Sequence, residues 1–188
     1  MATTTSLKTP SRISTERIAL LVILGIETVF FITVLTAYAA LREQINWTVA
    51  HTLSRLEIPL VNSGILIIST IVGWSSVQAI RRDNRKGLKA GLLITLILGL
   101  VFIAGQIFEF SHAGLSIDDQ AYGGVFFTLL GFHAIHVLAG VFFLALILVR
   151  ALLGDFSSQD HEAVEIGTWF WFYVTIIWGV IFTALYLV

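Results

Sequence analysis

Five apolar runs, each long enough to cross a membrane, constrain the fold of this chain more than any other feature. They cover residues 18–41, 58–80, 88–110, 122–153 and 163–188. A helix rises about 1.5 Å per residue, so about 20 apolar residues span the roughly 30 Å of bilayer hydrocarbon. Barrel strands would alternate apolar and polar residues, and these runs do not. The sequence therefore predicts an all-α integral membrane bundle of five transmembrane helices over residues 18–188, preceded by a tail at 1–17.

Composition excludes an ordinary soluble domain. Hydrophobic residues make up 57% of the chain and charged residues 12%, whereas soluble domains average about 45–50% and about a quarter. The chain has no cysteine, which excludes disulfides, thiolate metal sites and iron–sulfur ligation. Any metal site would have to use histidine and carboxylate ligands.

Basic residues predict the orientation of the bundle, because lysine and arginine in short loops stay on the cytoplasmic side. The connection between the second and third runs and the N-terminal tail are basic, and the connection at 111–121 carries Asp118 and Asp119 instead. We therefore expect the N-terminus inside and the C-terminus outside, in a multi-pass protein of a bacterial plasma membrane. The residues that carry this signal are Lys8, Arg12, Arg17, Arg81, Arg82, Arg85 and Lys86.

Two histidines, His133 and His136, are the most informative polar residues of the fourth run. Three positions apart on a helix, they share a face, and Gly131 and Gly140 on either side allow another helix to approach closely. Two histidines one turn apart cannot bind one haem iron from both faces. We expect them to donate to a carboxylate or a backbone carbonyl instead, and Glu109 of the preceding helix is the candidate partner.

Glu27 lies near the middle of the first run. An ionised acid at a helix centre costs on the order of 2.5–3.5 kcal/mol on insertion scales, so Glu27 is expected to be protonated, partnered or turned into the bundle. Two interpretations stay open. Glu27 is either part of a proton relay or polar lipid contact, or a neutral carboxyl that makes one interhelical hydrogen bond.

Glu109 and His112 have the Glu-x-x-His spacing that helices of di-iron proteins use. Such a site needs a second copy of the motif on another helix, and the sequence has none. We therefore predict no metal site, and expect Glu109 to belong to a polar cluster near the outer membrane surface.

Arg150 lies at the predicted cytoplasmic end of the fourth helix, where a guanidinium can extend to lipid phosphates. The alternative is that Arg150 only determines topology. Glu165, in the first turn of the fifth helix, suits the positive end of the helix dipole and requires no further role.

Several short segments occur in order along the chain and together resemble one family. The ordered set is similar to subunit III of the haem–copper oxidases, the cytochrome c oxidase and quinol oxidase complexes, and it covers all five helices. The segments are Gly-Ile-Glu at 25–27 with the phenylalanine pair at 30–31, Ile-Pro-Leu-Val-Asn at 58–62, Gln-Ile-Phe-Glu-Phe at 106–110, Asp118 and Asp119, Tyr-Gly-Gly-Val-Phe-Phe at 122–127, Gly-Phe-His-Ala-Ile-His-Val at 131–137, Arg150, Glu165 and Trp178.

The resemblance implies an accessory subunit of aerobic electron transport with no cofactor of its own. It would pack against oxidase subunit I, with haem and copper held by partner subunits, and support proton uptake, turnover stability and phospholipid binding. Glu27 resembles the family's intramembrane carboxylate and a lipid contact, and Arg150 its lipid-phosphate contact. Glu109, His133 and His136 resemble its internal polar set. We expect no nucleic acid partner.

Two departures from the family pattern keep other functions open. Longer members have seven helices, and this chain resembles them without the first two, which weakens the expectation of lipid binding. Their last helix reads Trp-His-Phe-Val-Asp, whereas residues 171–175 are Trp-Phe-Tyr-Val-Thr. The alternatives are a related subunit of a nitric oxide reductase complex, a small transporter using Glu27, Glu109 and Arg150, and a histidine–carboxylate membrane metalloenzyme.

Overall fold

The computed structural model of the chain describes residues 14–42, 57–112 and 120–187. These residues form five long helices, each apolar enough to cross a membrane, which confirms the predicted all-α five-helix class. The predicted run at 163–188 is α-helical only to Phe182, and its last turn is a π-helix. The helices are α1 Thr15–Arg42, α2 Glu57–Arg81, α3 Arg85–His112, α4 Gln120–Leu153 and α5 Glu162–Phe182, followed by the π-helix Thr183–Leu187.

Four of the helices form a closed bundle, and α1 is added to its outside. Around the bundle, α2 packs on α3, α3 on α4, α4 on α5, and α5 back on α2. Helix α1 lies against α4 and α5 and is the least buried of the five. The chain crosses back and forth, so the start of α1, the α2–α3 turn and the α4–α5 connection share one end of the molecule. We call it the basic end, because Arg17, Arg81 and Arg150 lie there.

Local residues at the basic end explain where helices begin and end. Helix α1 begins at Thr15, earlier than predicted, because the Ser14 hydroxyl accepts a hydrogen bond from the Arg17 backbone N–H (3.3 Å) as an N-cap. Residues 1–13 of the predicted tail lie outside the described residues. Asn84 caps α3 by accepting from the Gly87 N–H (2.9 Å). Gly154, with φ of 92°, ends α4 in the left-handed conformation that glycine adopts without strain.

Small and hydroxyl residues hold α2 and α3 together. The Ser69 hydroxyl donates to the Thr95 carbonyl oxygen (3.2 Å). The Thr95 hydroxyl oxygen lies 3.4 Å from the Ser69 carbonyl oxygen. A Cβ on Gly91 would lie 2.2 Å from the Ser76 hydroxyl oxygen, so the two backbones approach closely there. Lipid is as apolar as leucine, so membrane helices associate through such close packing and interhelical hydrogen bonds.

Trp171 of α5 occupies the centre of the bundle and contacts the other three of its helices. Its side chain is 1% exposed, and its indole Nε1 donates to the Ser69 hydroxyl on α2 (3.1 Å). The ring covers Gly99 on α3 and Gly140 on α4, where an added Cβ would lie 2.8 Å from its carbon atoms. One indole therefore sets the spacing of α2, α3 and α4 about α5.

The expected close approach at Gly131 and Gly140 holds for only one of the two glycines. A Cβ at Gly140 would lie 2.8 Å from Trp171 Cε3, whereas a Cβ at Gly131 would meet nothing within 4 Å. The difference arises because Gly140 faces the bundle centre and Gly131 faces open space on the same helix.

We expect Gly140→Ala to lower the free energy of unfolding by about 1–3 kcal/mol, because the methyl group overpacks the Trp171 ring. Gly131→Ala is the matched control on α4, and is expected to raise stability by roughly 0.5–1 kcal/mol through helix propensity alone. Detergent-induced unfolding followed by circular dichroism measures both. Equal effects of the two substitutions would contradict the packing at Gly140.

Candidate functional site

A carboxylate–imidazole pair joins α1 to α4 in the middle of the membrane-spanning region. His136 Nε2 lies 2.7 Å from Glu27 Oε2, and the His136 ring packs edge-on against Phe31 of α1 at a centroid distance of 5.2 Å. The His136 side chain is 13% exposed and the Glu27 side chain 30% exposed. The pair therefore lies at the α1–α4 contact, with the carboxyl group partly open to the outside of the bundle.

The second ring nitrogen of His136 determines what the pair shares. Nδ1 lies 2.7 Å from the Phe132 carbonyl oxygen. A carbonyl only accepts, so Nδ1 carries a proton. The contact between Nε2 and the Glu27 oxygen then holds one further proton, bound either to the carboxyl group or to the imidazole. In both forms the pair is neutral overall, which removes the cost of an isolated charge at this depth.

Glu109 is not the partner of the histidines, so that hypothesis is wrong. Its carboxylate accepts from the Gln106 side-chain N–H (3.1 Å) and from the Tyr186 hydroxyl. Helices α3 and α4 are neighbours, but His136 points to α1 rather than α3. Glu109 lies one turn from the end of α3 that is opposite the basic end. Its cluster includes the π-helical turn that carries Tyr186.

His133 faces the bundle interior and is fully buried. Its ring stacks on Trp178 of α5 at a centroid distance of 5.2 Å and meets Phe102 of α3 edge-on at 6.2 Å. The angle between positions three apart on a helix is enough to give His133 and His136 different neighbours. The two histidines, predicted to act together, therefore belong to separate environments.

A cluster of ion pairs at the basic end was missed by the sequence analysis, which gave Glu165 no special role. The Glu165 side chain is 8% exposed and joins three helices. It binds Arg81 of α2 (2.7 Å), Arg17 of α1 (2.9 Å) and His161 (3.2 Å), and Arg17 also lies 2.9 Å from Glu162. The available signal was that Arg17, Arg81 and Glu165 all fall at helix ends on the same predicted side of the membrane.

Arg150 lies at the basic end, as expected, and half of its side chain is exposed. Its Nε is 3.3 Å from Asp155, and its guanidinium lies over the Phe156 ring at 5.0 Å. The pair with Asp155 lies on the surface and leaves the guanidinium accessible to a phosphate. Lipid binding by Arg150 stays a prediction.

The two positions of α5 that differ from the family's imidazole and carboxylate are Phe172 and Thr175. Thr175 bonds to Thr70 of α2 through their hydroxyl oxygens (2.6 Å), and the neighbouring Tyr173 hydroxyl lies 3.2 Å from the Thr28 hydroxyl of α1. Phe172 is exposed and lines an apolar groove of about 690 Å³ between α1, α2 and α5. A neutral hydroxyl pair thus stands where the family pattern has a carboxylate, and an exposed phenylalanine stands where it has an imidazole.

Within residues 14–42, 57–112 and 120–187, no three or more His, Cys, Asp or Glu side chains come together as a metal site would require. His112, which has the Glu-x-x-His spacing with Glu109, lies in α3, but its side chain is outside the described part of the structure. Asp118 and Asp119 lie wholly outside the described residues. The described residues offer a proton-sharing pair, Glu27 and His136, in the middle of the membrane-spanning region. They also offer a second acid, Glu109, near the end of the bundle that is opposite the basic end.

One protein family matches nearly the whole chain, and individual relatives match a shorter part of it. The family model for cytochrome c oxidase subunit III matches residues 15–188. Cytochrome c oxidase subunit 3 of Tachyglossus aculeatus aculeatus is 38% identical over 135 residues, which are 71% of this chain and 51% of that protein. The protein of the same name from Loxodonta africana is 35% identical over 136 residues, 72% of this chain and 52% of its own length. The protein of the same name from Spodoptera frugiperda is 39% identical over 131 residues, which are 69% of this chain and 88% of that protein. The chain spans about half the length of the first two.

Proposed function

Since the chain belongs to the cytochrome c oxidase subunit III family, we propose that it is an accessory, non-redox subunit of a respiratory haem–copper oxidase. The match of the family model across residues 15–188, all five helices, carries this proposal. In this proposal, the chain packs against subunit I and other oxidase subunits, which hold the haem and copper and reduce oxygen. The chain's own part is to support proton uptake, stability and phospholipid contacts of the catalytic subunit.

The membrane orientation is part of the proposal. All lysines and arginines of the described residues lie at the basic end except Arg42, the last residue of α1. This supports a cytoplasmic basic end and an outer C-terminus, since basic residues in short loops stay inside. We propose a bacterial plasma membrane as the location, although the relatives named above are animal proteins. Protease protection of a C-terminal tag in sealed inner-membrane vesicles tests the orientation, and recovery of the chain in those vesicles tests the location.

Affinity purification of the tagged chain from its own membranes in a mild detergent tests the proposed assembly. We expect a large haem-containing catalytic subunit to co-purify, with a reduced-minus-oxidised spectrum of a-, b- or o-type haem. A colourless preparation without partners would overturn the proposal and favour a stand-alone transporter. A partner with the cofactors of a nitric oxide reductase would move the chain to that complex.

Within this function, we propose that Glu27 and His136 exchange protons at the surface of the catalytic subunit. The shared proton described above supports this role, because it can move between the carboxyl group and the imidazole without changing the net charge of the pair, and its departure leaves one negative charge on a carboxyl group that is partly exposed. The exposed fraction of the Glu27 carboxyl supports it too, since that fraction faces away from the bundle, where a partner subunit can contact α1.

We expect Glu27→Gln to lower proton uptake and sustained oxygen turnover of the assembled complex severalfold. Glutamine keeps a hydrogen bond to His136 Nε2 but has no proton to exchange, so packing is preserved while the chemistry is lost. Proton uptake by the complex in lipid vesicles measures the effect. Glu16→Gln, in the exposed first turn of α1, is the control. Unchanged uptake in a fully assembled Glu27→Gln complex would contradict the role.

The proposal extends to phospholipids at Arg150 and beside Glu27. The exposed guanidinium of Arg150 supports contact with a lipid phosphate. We expect Arg150→Ala to reduce the phospholipid retained per complex after detergent washing, as measured by mass spectrometry, whereas Arg85→Ala, an exposed arginine at the same end, leaves it unchanged. Equal retention in the two variants would contradict specific binding at Arg150.

A further inference from the structure

Four buried polar atoms lie in one layer of the bundle, in the half opposite the basic end. Among the described residues, Asn62 Nδ2, Gln106 Oε1 and both ring nitrogens of His133 have no hydrogen-bond partner. The three residues are only 3%, 2% and 0% exposed. Buried polar atoms in proteins are nearly always hydrogen-bonded, to protein or to ordered water. Four such atoms without a protein partner therefore point to a ligand.

A closed ring of contacts places these residues in the same layer. The Asn62 amide lies directly on α3, within 2.2–2.7 Å of where a Cβ on Gly105 would stand, and Gly105 precedes Gln106. Phe102, one turn before Gln106, contacts the ring of His133 at 6.2 Å. Trp178 of α5 completes this circle of contacts between the four helices.

Trp178 links the two sides of the layer. Its ring stacks on His133 of α4, and its indole Nε1 donates to the hydroxyl of Ser63, the residue next to Asn62 on α2 (2.8 Å). The four bundle helices thus each contribute side chains to a single polar layer with aromatic walls.

The unpaired atoms complement each other in a way that fits water. The Asn62 amide nitrogen is a donor, the Gln106 oxygen is an acceptor, and the neutral imidazole of His133 offers one of each. A buried water makes about three hydrogen bonds, and it both donates and accepts. A metal ion fits less well, because a primary amide nitrogen is not a metal ligand and no carboxylate is among the four atoms.

We propose that this layer is a buried water-binding site, in which ordered water bridges Asn62, Gln106 and His133. The site continues toward the end of the bundle, because the Gln106 side-chain nitrogen donates to Glu109, and Glu109 accepts from the Tyr186 hydroxyl. The hydrogen-bonded path then reaches from Tyr186 and Glu109 to His133 in the interior. The inference rests on the bundle alone and does not depend on the oxidase assignment.

Solid-state NMR of the full-length wild-type chain in lipid bilayers tests the site directly. His133 is the only one of the five histidines preceded by phenylalanine, so carbonyl-labelled phenylalanine with labelled histidine identifies its signals. We expect a cross-peak between the His133 ring N–H and water. Absence of that cross-peak, or a cross-peak to the amide protons of Asn62 or Gln106 in its place, would overturn the proposal.

A pair of substitutions on α3 adds a second test. Gln106→Met keeps the length of the side chain but removes its oxygen and nitrogen, so the water cross-peak of His133 is expected to weaken severalfold. Thr95→Val removes a buried hydroxyl that already donates to the Gly91 carbonyl (2.8 Å) and should leave the cross-peak unchanged. An unchanged cross-peak in Gln106→Met would count against a shared water. The wild-type spectrum decides the question if Gln106→Met does not fold.

Discussion

Trp171→Ala is expected to lower the free energy of unfolding by about 3 kcal/mol. Replacing a buried tryptophan by alanine costs roughly 3–5 kcal/mol in soluble proteins, as lost transfer energy plus a cavity. In a bilayer the separated helices face lipid rather than water, so most of the transfer part is absent and the packing part remains. The value expected here is therefore at the low end. It includes the lost hydrogen bond to Ser69.

Trp169→Ala is the matched control for this prediction, on the same helix and two residues away. The Trp169 side chain is 37% exposed, and its described contact is with the Arg17 guanidinium at 5.8 Å. We expect its loss to cost less than about 1 kcal/mol, since an exposed cation–π contact contributes about 0.5–1 kcal/mol. Unfolding in mixed lipid–detergent micelles measures both variants. Similar losses would show that Trp171 does not organise the bundle.

Glu165→Gln is expected to lower the free energy of unfolding by about 2 kcal/mol. Removing one partner of a fully buried ion pair costs roughly 3–5 kcal/mol, because the other charge is left buried and unpaired. Here the two arginines are partly exposed, with side-chain exposures of 36% for Arg17 and 42% for Arg81, and they can turn toward water or lipid phosphates. The expected loss is correspondingly smaller than for a buried pair.

Glu162→Gln separates the role of Glu165 from a general loss of negative charge. Glu162 also binds Arg17 at 2.9 Å, but its side chain is 38% exposed. Exposed ion pairs contribute at most about 1 kcal/mol, so Glu162→Gln should cost less than that. In Glu165→Gln, cysteine cross-links or spin-label distances between α1 and α5 should also show a loosened basic end. If both variants unfold alike and α1 stays in place, Glu165 does not join the three helices.

Hydropathy along the chain predicted the number and type of the elements because it depends on sequence-local composition. A run of about 20 apolar residues can satisfy its backbone in lipid only as a helix. The five helices and the basic character of one end follow from that local information, whereas the resemblance to the oxidase subunit III family rests on the ordered set of short segments along the chain. The residues proposed for the site were recognisable for the same reason, since Glu27, Glu109 and the two histidines are rare polar residues in apolar surroundings.

Only the tertiary structure decided which of these residues meet. Sequence order suggested that His136 would face Glu109 on the preceding helix, yet α1 packs across α4 and brings Glu27 to His136. The role of Glu165 was hidden because its partners lie on α1 and α2, 148 and 84 positions away in the sequence. In a bilayer the lipid-facing and protein-facing sides of a helix are both apolar, so hydrophobic periodicity does not reveal which side is buried. Close contacts such as Gly140 on Trp171, and the few interhelical hydrogen bonds, determine the helix neighbours, and these exist only once the helices have packed.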